Sequence, residues 1–370
     1  MRVLLANTRV GWLTEWGGDT TQVIETANEL RRLGIDVDVA ETPPASMRGF
    51  DLLHLFNLQT ARSGMPWCDL AQHEHIPIAL STIWWDMRYC SNHGRRYRYH
   101  NSRLVRLAAD ICPWAVDVMS RLRPRLNGDR TAMVRLLGAA DVVLPNSYAE
   151  AEIVVLQFGM PQLRGRTWVV PNAFSSCVNA RAGLHTLPGD IVGRCVMEVA
   201  SISYVKGQLF LLEALLDRPS MPIVFVGRIA DDYYARVCRR LAEKRGNVLF
   251  VGEVPHGDVL DYLQQARVHA LPSLRESPGL ASLEAAGLGI PVVISVHAPI
   301  GEYFGDMAHV CEPTNVASVR QAVLVAWEAP APVELQTRLS QHNRWAVASR
   351  TTLDAYVWLL QSRRLRGCPP

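Results

Sequence analysis

Short apolar runs alternate with amphipathic stretches through the first third of the chain. Residues 3–6, 36–40, 52–56 and 78–82 have the length and composition of strands, and residues 19–33 carry the 3.6-residue period of a helix. Apolar runs at 142–144 and 168–170 would complete a parallel sheet; the first leads into Pro145-Asn146-Ser147 and the second into Pro171-Asn172. After a loop around 176–194 the rhythm restarts. Strands are predicted at 195–199, 223–226, 248–251, 269–272 and 291–295, with helices at 207–216, 233–244, 258–266 and 278–286 between them. A last periodic segment, 344–364, reads as one long helix bearing Trp345, Tyr356 and Trp358, expected to pack across the domain junction.

This pattern predicts an α/β protein of two Rossmann-like, doubly wound units. The expected divisions are a domain at 1–175, a second at 190–343, and a crossover helix with its tail at 344–370. Two such units in tandem would form a cleft between the carboxyl ends of their sheets, the edge at which open α/β folds bind ligands. A chain of 370 residues is longer than one hydrophobic core usually supports, which agrees with two domains. Its 49% hydrophobic and 20% charged residues place it among globular proteins and exclude a disordered one.

The eight cysteines include no CxxC pair and no metal-type spacing with histidine, so they read as reduced, buried thiols. Asn7, Thr8 and Arg9 interrupt the apolar start, which therefore reads as a first strand and not as a signal peptide. No run approaches the roughly 20 apolar residues of a spanning helix. The expectation is a cytoplasmic protein, with peripheral attachment to the inner membrane face as an addition to it. The net charge of +3 is unevenly spread, because residues 88–135 hold eleven arginines against Asp110, Asp117 and Asp129. Charge interleaves with aromatics there, as in Arg95-Arg96-Tyr97-Arg98-Tyr99, and continues to Arg125. A solvated face and contact with anionic headgroups or a lipid-diphosphate both fit such a segment, whereas no nucleic-acid-binding motif accompanies it.

Two carboxylates stand seven residues apart in Glu276-Ser277-Pro278-Gly279-Leu280-Ala281-Ser282-Leu283-Glu284, across a strand-to-helix turn. Ser277 suits the cap and Pro278 the first helical position, so the amides that follow would face a diphosphate at the positive end of the helix dipole. Glu276 would then face a sugar and Glu284 a ribose diol; a capped helix with two surface glutamates is the other reading. Lys206-Gly207 lies at the turn after the strand at 195–199, where an ammonium can reach the same diphosphate; a plain helix-starting turn competes with that. Gly17-Gly18-Asp19-Thr20 follows the first strand, either as a glycine loop open to a phosphate or sugar or as a turn capped by Asp19. It matches neither GxGxxG nor a Walker loop.

The segment that follows, Ala285-Ala286-Gly287-Leu288-Gly289-Ile290-Pro291-Val292-Val293, completes a pattern that resembles the GT-B glycosyltransferases, most closely family 4. Phe225-Val226-Gly227 and Phe250-Val251-Gly252-Glu253-Val254 resemble that family's paired F-x-G segments. The resemblance implies a GT-B fold and a retaining, metal-independent transfer of a sugar from a nucleotide-diphosphate sugar to a glycan or lipid-linked acceptor, with no further cofactor. It implies Glu276 and Lys206 as catalytic candidates, and this chain's own residues add Asp86 as a polar contact. Glu284, Ser277, Pro278, Gly279, Leu280, Val254, Gly227 and Ser201 would contact the donor, and Gly17, Gly18, Asp19 and Asn172 the acceptor or its phosphate. Ser201 stands where the family usually has an arginine, and Ile83-Trp84-Trp85-Asp86 where many relatives have a histidine. The tryptophan pair can stack on a sugar or pack at the domain edge. No Asp-x-Asp motif occurs in the part expected to line the cleft. Two other functions fit the same fold: a nucleotide-sugar epimerase or phosphorylase, and a non-catalytic nucleotide-sugar-binding protein.

Overall fold

The computed structural model describes residues 1–86, 90, 129–174 and 187–365. These fall into two units, one comprising 1–86, 129–173 and 343–365, the other 90, 174 and 187–342. The basic segment 95–125 lies outside the described residues.

In the first unit β1 (Arg2–Asn7), β2 (Asp36–Ala40), β3 (Leu52–Phe56), β4 (Ile78–Ser81) and β5 (Val142–Val143) form a parallel sheet in the order β2-β1-β3-β4-β5. The inner strands are covered on both faces, and this is why β1 and β3 are apolar without alternation: Val3, Leu4, Leu5, Leu52, Leu53 and Leu55 are all buried. The helices are α1 (Gly18–Arg32), α2 (Met65–His73), α3 (Asp129–Ala139) and α4 (Tyr148–Phe158). The run at 168–170 is not a strand of this sheet. It is tied to the edge by a bridge from Thr167 to Val143 and by the Trp168 and Val170 N–H groups, which donate to the carbonyls of Val143 and Pro145. Pro145 has no N–H with which to continue the ladder, so pairing stops after two residues of β5.

The second unit holds β6 (Val196–Val199), β7 (Ile223–Val226), β8 (Val248–Gly252), β9 (Val268–Leu271), β10 (Val292–Ser295) and β11 (His309–Cys311), all parallel, in the order β11-β10-β9-β6-β7-β8. Between them run α5 (Gln208–Ala214), α6 (Asp232–Arg245), α7 (Val259–Leu263), α8 (Leu280–Gly287), α9 (Ile300–Tyr303), α10 (Val316–Glu328) and α11 (Val333–His342). The elements from α9 to α11 fill a stretch that the apolar pattern left without structure. The chain winds outward from β6 to β8 and then returns to the other side of β6 with β9, so the sheet changes direction between β6 and β9. Loops that leave the carboxyl ends of such neighbours part from each other and open a crevice. In the first unit the same reversal lies between β1 and β3.

The last helix, α12 (Trp345–Leu365), belongs to the first unit, where Ala355, Tyr356 and Leu359 join a core with Val3, Leu5, Val23 and Leu30. Trp358 packs against Trp168, and the Tyr356 hydroxyl meets His54 Nδ1, whose Nε2 in turn meets Ser81 Oγ.

Candidate functional site

Two glycines shape the second unit's crevice. Gly227, just after β7, has φ +148, and a Cβ there would lie 2.2 Å from the Ala200 carbonyl oxygen. Gly207 has φ +85, and its Cβ would meet the Pro272 carbonyl oxygen at the same 2.2 Å. Glycine alone allows both backbones to approach so closely. The 200–207 loop is thereby pressed against the residues that follow β9, and the Leu274 N–H donates to the Val205 carbonyl at 2.7 Å.

This contact brings Lys206 to Glu276. The ammonium donates to Glu276 Oε2 at 2.7 Å, with 27% of the lysine side chain and 13% of the glutamate side chain exposed. One residue thus leaves β6 and the other leaves β9, the two strands that flank the reversal. The helix after Glu276 starts later than its sequence suggests. Gly279, with φ +94, occupies the cap position, and α8 begins at Leu280 and not at Pro278. Ser277 and Pro278 therefore belong to the turn, since a left-handed residue at 279 cannot lie inside a right-handed helix. Glu284 lies within α8 and is buried, Ser201 follows β6, and Val254 follows β8. The predicted donor residues thus all stand at the carboxyl edge of one sheet.

The predicted acceptor residues lie in the first unit. Asp19 is not a cap: Gly17 is, and the Gly17 N–H donates to the Thr20 hydroxyl at 3.3 Å. The Asp19 carboxylate instead accepts from Arg9 Nε at 2.8 Å, Arg9 Nη2 at 3.0 Å and Asn7 Nδ2 at 2.8 Å. Burial raises the pKa of Asp19, but Arg9, Asn7 and Asn57 outweigh it and hold the carboxyl below its usual range. A Cβ at Gly17 would meet Asp19 Oδ1 at 2.7 Å, so this carboxylate fills the space beside the glycine pair. Asp86 follows β4, and the Asn172 carbonyl accepts from Asn343 Nδ2 at 3.0 Å.

Two residues of the second unit escaped the sequence reading. Glu198 in β6 is 1% exposed, and its Oε1 accepts from Gln208 Nε2 at 2.6 Å. Burial pushes its carboxyl well above the usual range; Lys206 opposes the shift, Glu276 adds to it and Gln208 opposes it. A single acidic residue inside the apolar run Val196-Met197-Glu198-Val199 was the available signal. Among the described residues no cluster of three or more His, Cys, Asp or Glu side chains could hold a metal ion.

Two parallel α/β units with these strand orders have the GT-B fold. Sucrose-phosphate synthase of Thermosynechococcus elongatus matches at a TM-score of 0.72 and 17% identity over 98% of this chain and 99% of its own. Anabaena HepE in complex with UDP-glucose matches at a TM-score of 0.69 and 15% identity over 98% of this chain and all of its own. Within the fold, residues 194–344, nearly all of them in the second unit, match the family model Glycosyl transferases group 1. Curated relatives are similar over shorter stretches. A Mycobacterium tuberculosis glycogen synthase is 31% identical over 115 residues, which cover 29% of this chain and 28% of the relative. The Escherichia coli O-antigen chain mannosyltransferase B is 28% identical over 158 residues, 41% of each chain. The chain thus spans less than half the length of either relative.

Proposed function

We propose that the chain is a retaining, metal-independent family 4 glycosyltransferase that moves a sugar from a nucleotide-diphosphate sugar to a glycan or lipid-linked acceptor. The observation that carries this reading is the Lys206–Glu276 pair across the β6–β9 reversal. As the bond to the sugar breaks, negative charge grows on the departing diphosphate. An ammonium already held in place by a carboxylate meets that charge without reorganising in the transition state. Glu276, on the opposite side of the ion pair, orients the sugar, and Glu284 accepts from the ribose hydroxyls. Ser201, Gly227, Val254 and the 277–280 turn contact the rest of the donor. Asp86 is the third catalytic candidate, as a polar contact near the transferred sugar; Gly17, Gly18, Asp19 and Asn172 are assigned to the acceptor, and residues 95–125 to an anionic membrane surface at the cytoplasmic face.

A thermal-shift screen against UDP-, GDP- and dTDP-sugars tests the donor, because a ligand at 100 times its Kd adds about 2.7 kcal/mol to native stability. A product assay with and without glycan acceptors then separates transfer from epimerisation. Stabilisation by a nucleotide sugar with no transfer to any acceptor or to water would refute the catalytic reading and favour a binding protein. For the membrane contact, equal flotation with neutral and anionic vesicles would count against it.

A further inference from the structure

We propose that Glu198 is a positioning residue of this site: clasped by Gln208, it fixes the loop that carries Lys206, and a charge on it weakens binding of a nucleoside diphosphate. The proposal rests on the donor-binding reading above.

The geometry is a three-way tie. Gln208 opens α5 and is fully buried. Its Nε2 donates to Glu198 Oε1 at 2.6 Å and to the Ser201 carbonyl at 3.2 Å, while its Oε1 accepts from the Ser203 N–H at 3.3 Å. One amide thus joins strand β6, the loop after it and the helix that follows. Lys206 sits two residues before Gln208, so the position of its ammonium depends on this tie. Glu198 Oε2 has no hydrogen-bond partner among the described residues. A full charge on that oxygen would be buried without compensation, whereas a protonated carboxyl avoids most of the penalty.

The charges around Glu198 give the second half of the argument. Lys206 on the loop attracts it and Glu276 on the β9–α8 turn repels it. From α6, Cys238 couples to it, and the Tyr234 hydroxyl accepts from the Leu209 N–H at 2.9 Å. The Cys238 thiol is itself pushed upward, first by burial and then by Glu198. Lys206 and Glu276 form a neutral pair. A second carboxylate would make the cluster net negative and repel a pyrophosphate. With Ser201 after β6, no arginine at that position offsets the change.

The test uses the full chain, Glu198→Gln and Glu198→Ala. Calorimetric Kd values for UDP, GDP and dTDP, and unfolding midpoints without nucleotide, are measured from pH 6 to pH 9. Wild type is expected to lose affinity as pH rises, by up to about tenfold per pH unit once the carboxyl ionises, the limit for one linked proton. Glu198→Gln keeps the low-pH affinity and loses the decline, while Glu198→Ala binds more weakly throughout because the tie to Gln208 is gone. Without nucleotide, a raised carboxyl pKa stabilises below its unfolded value and that stability is lost as pH rises, so the midpoint of Glu198→Gln gains on wild type toward pH 9. Parallel affinity profiles in wild type and Glu198→Gln, with binding intact, overturn this proposal alone. Diverging midpoints with parallel affinities reduce Glu198 to a residue of the fold and also overturn it. Failure of wild type to bind any of the three nucleotides at any pH overturns both it and the donor reading.

Discussion

Lys206 and Glu276 meet at 2.7 Å although seventy positions separate them in the chain. Each extends from the carboxyl end of a strand, and those strands are neighbours only because the sheet reverses there. Replacing either by alanine is expected to lower the turnover of sugar transfer by roughly 100-fold, the scale of removing one preorganised donor. The double variant should lose little more than either single one, since the two act as a unit. A product assay on purified variants with unfolding midpoints near wild type decides it. Independent, multiplying losses would show that the pair does not act together.

Gly207→Ala and Gly227→Ala should each destabilise the second unit by at least about 2 kcal/mol. Both residues have positive φ, and both would drive a Cβ to 2.2 Å from a carbonyl oxygen of the facing backbone. Gly138 in α3 provides the contrast: no atom lies within 4 Å of its Cβ position, so alanine there should be neutral or stabilise by about 0.5–1 kcal/mol. Urea midpoints of the three variants test the ordering. Wild-type stability in Gly227→Ala would mean that the β6 and β7 ends are not so close.

Much of this architecture was legible because buried parallel strands are written as nearly unbroken apolar runs, as in β1 and β10, and in β3 apart from His54. Details set by glycine were harder to read. Ser277-Pro278 has the composition of a helix start, yet the positive φ at Gly279 delays α8 to Leu280. Asp19 likewise looks like a cap, and its true partner, Arg9, lies ten residues earlier across a loop. Glu198 could have been noticed as a charge inside an apolar strand, but its link to Gln208 depends on how the loop folds back. Within residues 296–343, β11 escaped notice because it is an edge strand with a half-exposed His309 and exposed Val310, which blurs its apolar signal.

Two buried histidines make stability depend on acid. Burial lowers the pKa of His54 from 6.5 to about 3 and that of His269 to about 4. Both are neutral in the native state, while the unfolded chain takes up their protons below about 6.5. Stability is therefore fully present above that pH and falls as pH drops toward the native values. Each histidine contributes a slope of up to about 1.4 kcal/mol per pH unit between about 6.5 and 4. Urea denaturation at intervals from pH 7.5 to 4.5 measures the slope. His54→Gln and His269→Gln should each flatten it, and unchanged slopes in both would refute the assignment.

Glu150 is the corresponding buried carboxylate of the first unit. Fully buried in α4, it accepts from the Thr82 hydroxyl, from the Trp84 N–H at 2.7 Å and from the Asn146 N–H at 3.0 Å. Between Thr82 and Trp84 lies Ile83 with φ +41, a left-handed conformation that a β-branched side chain disfavours. The bonds to Glu150 on both sides hold that strained residue in place and so set the course of the 82–86 segment toward Asp86. Glu150→Ala leaves these donors without their acceptor and should cost about 3 kcal/mol or more, with a red shift of tryptophan emission as Trp84 loses its burial. Glu150→Gln keeps one acceptor oxygen but turns an N–H toward an N–H, so its cost should be smaller, about 1–3 kcal/mol. Urea unfolding followed by fluorescence reads both quantities. An alanine variant with wild-type emission and stability would show that the turn is held by its own packing and not by this carboxylate.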